Sequence, residues 1–215
     1  KTNPFVDHAL NRLGYGPDPW SQARIGELGS FDYLEEQLQW ESIDDDELDL
    51  LLVSYPSLTM DLETLFASYH SGPDALGKPH EARQELRDAK ILRAIYSRRQ
   101  LAEVLTDFWF NHFNVAISNN RARDFVLSYE RDAIRPNVLG NFRTLLGATA
   151  KQPAMLWYLD NARSTAECAA GGPTGCSWER RSWQHFVRGW QLLAKGFNTS
   201  EAMDMPQLKA NAEVI

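Results

Sequence analysis

Residues 99–115 read RQLAEVLTDFWFNHFNV. After a short polar break, residues 123–162 read RDFVLSYERDAIRPNVLGNFRTLLGATAKQPAMLWYLDNA. On a helix turning about 100° per residue, Leu101, Val104, Leu105, Phe108 and Trp109 share one face. That spacing predicts a core-facing helix over Leu101 to Phe113. His112 falls in the middle of the same face, one turn beyond Phe108, with Asp107 and Asn111 flanking it. The next helix, about Arg121 to Arg135, puts Phe125, Tyr129 and Ala133 on one side, and Asp132 lies on that side too. Two consecutive helices are thus expected to turn an ionisable group inward. A buried charge is costly unless it is paired, hydrogen-bonded or bound to metal. The least costly arrangement lets such groups meet.

Two readings of this cluster follow. In the first it is a catalytic or metal site. His112 is ligand or general base, Asp132 or Glu130 is its carboxylate partner, and Arg135 clamps an anion or carboxylate, with Arg131 nearby. His112 and Asp132 would be the metal ligands, and a divalent cation the cofactor. In the second the same residues form a structural polar network, with His112 bonded to a carbonyl or to Asp132 and Arg135 holding a helix end. The spacing does not choose between them, because the chain has neither an HExxH motif nor a Cys/His zinc pattern.

Composition narrows the field. A net charge of −7 and a pI near 5.3 argue against general nucleic-acid binding, which needs a basic face to neutralise phosphates. They argue equally against adsorption to anionic lipid. No apolar run approaches a membrane span, and no signal peptide is present in this chain. The only two cysteines, Cys168 and Cys176, bracket the loop AAGGPTG. Their spacing across glycines and a proline allows a local disulfide, the preferred reading, which would place the protein outside the reducing cytosol. Two free thiols on a surface loop are the alternative.

Along the chain, capping and breaking residues mark short helices. Thr2-Asn3-Pro4 starts one that runs to Leu13, with Gly14 expected as a left-handed terminator. Asp18-Pro19 starts a second, ending near Leu28. Gly29-Ser30 stops it and caps a third, Phe31 to Trp40. Asp44-Asp45-Asp46-Glu47 lacks the pattern of a calcium loop and reads as an acidic first turn, favourable against the helix dipole. Leu58 to Tyr69 forms a further helix. Glu81 to Ser97 is a long one whose interleaved charges, including Lys90 and Arg93, read as a solvated face. Pro136 is expected to open a helix burying Val138, Phe142, Leu145, Leu146 and Thr149, and Pro153 the next. In the tail, Trp178, Trp183 and Trp190 dominate a helix with Phe186, Val187 and Leu193, at helical spacing. They read as core packing, or as an exposed face that drives association.

Three ordered segments also carry a family resemblance: FWFNHFNV (108–115), YERDAIRPNVLGNFRTLL (129–146) and QPAMLWYLDNA (152–162). With the opening HALNRLGYGPDP (8–19), they resemble the bacterial domain-of-unknown-function-1800 family over about residues 5–165. The resemblance implies a helical, mostly exported protein, periplasmic or extracellular, often encoded beside a sulfatase-like companion. It implies no reaction. The tail WERRSWQHFVRGWQLLAKGFN (178–198) departs from the family pattern.

The expected fold is all-α, an irregular orthogonal array of about eight to ten helices with negligible strand, because Pro and Gly interrupt the chain too often for an up-down bundle. Residues 1–165 form the family-like helical domain, 166–177 a Gly/Cys loop, and 178–215 a C-terminal helical tail. The favoured function is an exported module that binds a protein partner, plausibly the sulfatase-like companion. The alternative is a hydrolase-like or metal-dependent enzyme using His112, Asp132, Glu130 and Arg135.

Overall fold

The computed structural model describes residues 4–70, 78–118 and 122–161. Cys168, Cys176 and the tryptophan-rich tail lie outside the described residues. Within them the chain is all-α, with ten α-helices and no strand. In order these are α1 (Pro4–Leu13), α2 (Pro19–Leu28), α3 (Ser30–Leu38), α4 (Asp46–Leu52), α5 (Leu62–His70), α6 (Pro79–Tyr96), α7 (Gln100–His112), α8 (Val126–Ser128), α9 (Phe142–Lys151) and α10 (Pro153–Tyr158). A π turn, Tyr129–Ile134, continues α8 directly. No described helix is long and apolar enough to cross a membrane.

Local chemistry explains most of the boundaries. The Asp18 carboxylate accepts from the backbone N–H of Trp20 and Ser21, both at 3.0 Å, and so caps α2. Gly29, at φ +82°, ends that helix and leads straight into α3, so Ser30 is the first residue of α3 rather than its cap. Gly14 is not left-handed as expected. It is required by close approach, since a Cβ there would lie 3.0 Å from the Gln100 side chain. Pro136 does not open a long helix either. It sits in a short 3-10 turn, and α9 starts only after Gly140, where Asn141 Oδ1 accepts from Arg143 N at 2.8 Å. Leu145 and Thr149 are buried as expected, whereas Phe142 and Leu146 are not.

Two apolar clusters organise the packing. The larger gathers Leu62 and Leu65 of α5, Ala82, Leu86 and Ala89 of α6, and Phe110 of α7 around Phe125, Tyr129 and Ile134. The smaller joins α1, α2 and α3 through Leu10, Ile25 and Tyr33. Fully burying a large apolar side chain contributes about 1.5–3 kcal/mol. Phe125, Tyr129 and Ile134, each at 0 % exposure, anchor the central segment.

A polar clamp ties the clusters together at the turn between α6 and α7. Buried Gln37 donates to the Arg98 carbonyl at 2.9 Å and accepts from Leu101 N at 3.1 Å. Buried Asp45 accepts from the Ser97 hydroxyl at 2.6 Å and from Arg98 N at 2.8 Å. Gln100 reaches the other way, donating to the Ser97 carbonyl at 2.7 Å and accepting from Tyr15 N at 3.1 Å. An unsatisfied buried backbone group costs about 1–3 kcal/mol. Gln37→Leu removes a partner from both Arg98 O and Leu101 N, so urea unfolding is expected to show a loss of about 2–5 kcal/mol.

Candidate functional site

Of the residues expected on the inner face of α7, Leu101 is buried and Leu105 and Trp109 pack partly buried against the core, but Phe108 and His112 are turned out. The buried positions are Gln100, Leu101, Ala102, Glu103, Thr106 and Phe110, while Phe108 and His112 are exposed. The inward stripe is rotated by about one residue, which is about 100° on a helix. The cause is electrostatic. Turned this way, Glu103 faces Arg135, whose Nη1 donates to Oε1 at 2.6 Å.

A second exchange occurs in the π turn. Its wider i→i+5 winding brings Tyr129, Glu130, Ala133 and Ile134 all to the interior. Asp132, expected inside, is exposed and is gripped by its neighbour Arg131 at 2.6 and 2.8 Å. Glu130 takes the interior place, its side chain only 1 % exposed.

Glu130 is the centre of the cluster. Lys90 Nζ donates to its Oε2 at 2.9 Å, Arg135 Nη2 donates to its Oε1 at 3.0 Å, and the Arg93 guanidinium lies 3.8 Å from Oε1. Lys90 also contacts Asp107 at 3.2 Å and sits 4.2 Å above the Phe110 ring. Arg135 thus bridges the two buried carboxylates, Glu103 and Glu130, as its planar fork allows. Tyr15, on the loop after α1, completes the rim by donating to the Glu103 carbonyl at 3.4 Å.

The protonation states follow from these neighbours. Burial works to raise the Glu130 carboxyl, but Lys90, Arg135 and Arg93 outweigh it and hold it below its ordinary value. Burial alone would lower Arg135, yet Glu103 and Glu130 drive it up, so it stays charged. Arg93 is lowered, first by burial and then by the neighbouring Arg135. Burial, helped by Asp107, Glu103 and Glu130, pushes the Tyr15 hydroxyl up to about 12. The cluster is a closed set of charges satisfied largely by one another.

Of the residues singled out from the sequence, the structure brings Glu130 and Arg135 together and turns His112 and Asp132 outward. Rather than facing an external anion, Arg135 holds internal carboxylates. His112 lies among rings instead: Phe108 at 5.8 Å, Trp109 at 5.5 Å and Phe113 at 4.9 Å. Among the described residues no group of three His, Cys, Asp or Glu side chains could hold a metal ion. Sequence reasoning missed Lys90, Arg93, Glu103 and Tyr15. A signal for Arg93 was present, because Ala82, Leu86 and Ala89 mark the buried stripe of α6 and Arg93 continues it.

A family model described as "Protein of unknown function (DUF1800)" matches residues 8–169. The chain belongs to that family, and the match spans every charged group of the Glu130 cluster. Neither the curated proteins nor the solved structures contain a match to it.

Removing one partner of a buried ion pair costs about 3–5 kcal/mol, because the other charges are left unpaired. Glu130→Gln is expected to lose stability on that scale in chemical unfolding at neutral pH. The folded Glu130 carboxyl is depressed below its ordinary value of 4.5, so its contribution is present above that pH and lost as the pH falls below it. In acid titrations of stability, Glu130→Gln is therefore expected to give a shallower decline below about pH 4.5 than the unaltered chain.

Proposed function

We propose that this chain is a non-catalytic module of an exported protein and that it holds a protein partner on the outer face of α4 and α6. The observation that carries this reading is an acidic surface studded with exposed apolar side chains. Leu50 on α4 and Val53 just past its end are 76 % and 77 % exposed, one turn apart on the stripe that begins with exposed Asp46 and Glu47. The C-terminal half of α6 adds Ile91 and Ile95, each 58 % exposed. Arg98, just past α6, reaches Glu47 at 3.2 Å and brings the two helices to one surface.

Physical chemistry defines the partner. Apolar anchors provide affinity when desolvated, and an anionic rim steers and selects a basic surface. A basic face of the sulfatase-like companion suggested by the family resemblance fits this description. Export is supported by that resemblance, and the spacing of Cys168 and Cys176 in the sequence is compatible with it. The Glu130 cluster supports the non-catalytic part, since its charges are engaged in holding α6, α7 and the π turn together.

Calorimetric titration of the chain with the companion protein tests the reading. Leu50→Asp combined with Val53→Asp is expected to weaken binding by about a hundredfold, the loss of one or two anchor residues. Circular dichroism should be unchanged, because both side chains already face water. Raising the salt concentration should slow association by screening the acidic rim. No binding by the unaltered chain, or equal binding by the double variant, would refute the proposal.

A further inference from the structure

Arg93 is the member of the Glu130 cluster whose bonding capacity is least used. It lies on the inner stripe of α6, one turn beyond Ala89 and Lys90, and its side chain is 16 % exposed. Arg83 and Arg135 are buried to the same degree, 15 % and 18 %, and each donates to a carboxylate at 3.0 Å or less. Arg93 does not. Its ion-pair partner, Glu130 Oε1, is 3.8 Å away, beyond hydrogen-bond distance. Among the described residues its guanidinium donates no hydrogen bond.

The reason lies in the neighbours. Glu130 Oε1 already accepts from Arg135 at 3.0 Å and Oε2 from Lys90 at 2.9 Å, while Glu103 Oε1 accepts from Arg135 at 2.6 Å. The oxygens nearest to Arg93 are thus claimed by other cations. A guanidinium carries five N–H donors in a planar fork, and leaving such donors unmet in a largely buried place is costly. The Arg93 nitrogens are not sealed in, since none is cut off from solvent. They form a planar set of donors that a molecule from solution can reach, shaped for two oxygens held side by side.

The surroundings select what those oxygens belong to. Three cations, Lys90, Arg93 and Arg135, stand among four carboxylates: Glu103, Asp107, Glu130 and Asp49. Asp49 comes from α4, which packs on α6, and its side chain is exposed and near enough to act on Arg93. The balance of −1 repels a dianion such as phosphate and disfavours a bare anion. A ligand that carries a cationic group beside its carboxylate escapes this penalty, because Asp49 supplies the counter-charge.

We propose that Arg93 is the carboxylate-receiving position of a binding site for a small zwitterion of the α-amino acid class, with the ammonium group turned toward Asp49. Nothing in this assignment depends on the partner face of α4 and α6. It gives the one incompletely bonded cation of the cluster a ligand whose charges complement both sides of the α4–α6 contact.

Nuclear magnetic resonance of the nitrogen-15-labelled full chain tests the proposal through the Nε–H signal of Arg93, assigned by its loss in Arg93→Met. Glycine, which carries both groups and little else, is expected to shift that signal saturably, with half-saturation on the order of 1 mM. Acetate should bind about fivefold more weakly, the difference made by one partly exposed ion pair. Inorganic phosphate should give no saturable shift. Arg93→Lys keeps the charge but loses the fork, and should weaken glycine binding at least about tenfold, followed by ligand-detected resonance. Because that change touches the cluster, Asp49→Asn provides a second arm at an exposed position where circular dichroism should not change. It should bring glycine down to the level of acetate. No saturable shift with glycine up to about 50 mM, phosphate binding as tightly as glycine, or glycine affinity unmoved in Asp49→Asn would each overturn the proposal.

Discussion

A full negative charge on Glu130 sits at the meeting point of α6, α7 and the π turn, and the arrangement of these elements depends on neutralising it. Three cations converge on the carboxylate, from α6 (Lys90 and Arg93) and from the end of the π turn (Arg135). Arg135 also satisfies Glu103, so α7 is bound into the same set. A buried ion cluster is not an efficient source of stability, because desolvation offsets much of the attraction. What it supplies here is geometry. An apolar interface would tolerate α7 in several rotations, whereas the Glu103–Arg135–Glu130 chain is satisfied in one.

The Gln37, Asp45 and Gln100 contacts extend the same logic to the N-terminal helices. Each side chain serves the backbone at or beside the α6–α7 turn, and each comes from, or reaches to, a distant segment. The smaller cluster around Leu10, Ile25 and Tyr33 is thereby set in a fixed relation to the larger core. Gly14 belongs to this joint, because any side chain there would displace Gln100. Tyr15, the next residue, reaches the Glu103 carbonyl and so connects the clamp to the charge cluster.

The interior charges are committed to one another, and the exposed apolar side chains lie on the surface. The two exposed apolar faces differ in character. That of α4 and α6 is aliphatic and acid-rimmed, while that of α7 and α9 is aromatic. His112 belongs to the second face, where its imidazole extends a stack of rings. A rotation of α7 thus moves His112 from the expected interior polar site to the exposed surface.

The all-α class, most helix positions and the central role of residues 100–161 were legible in the sequence, because they rest on local chemistry. Proline and aspartate start helices, glycine ends them, and apolar residues recur with the helical period. Glu130 and Arg135 were legible as candidates through their place in the densest stretch. Which way α7 turns, and whether Glu130 or Asp132 points inward, were decided only in the tertiary structure. The deciding contacts join residues far apart in the chain: 40 positions for Lys90 and Glu130, 32 for Glu103 and Arg135. Periodicity along one helix cannot register a charge waiting on another, nor anticipate a π turn that shifts the inward register. The single rotation of α7 that satisfies those distant charges leaves Phe108 at the surface, and that geometric demand exists only once the helices have met.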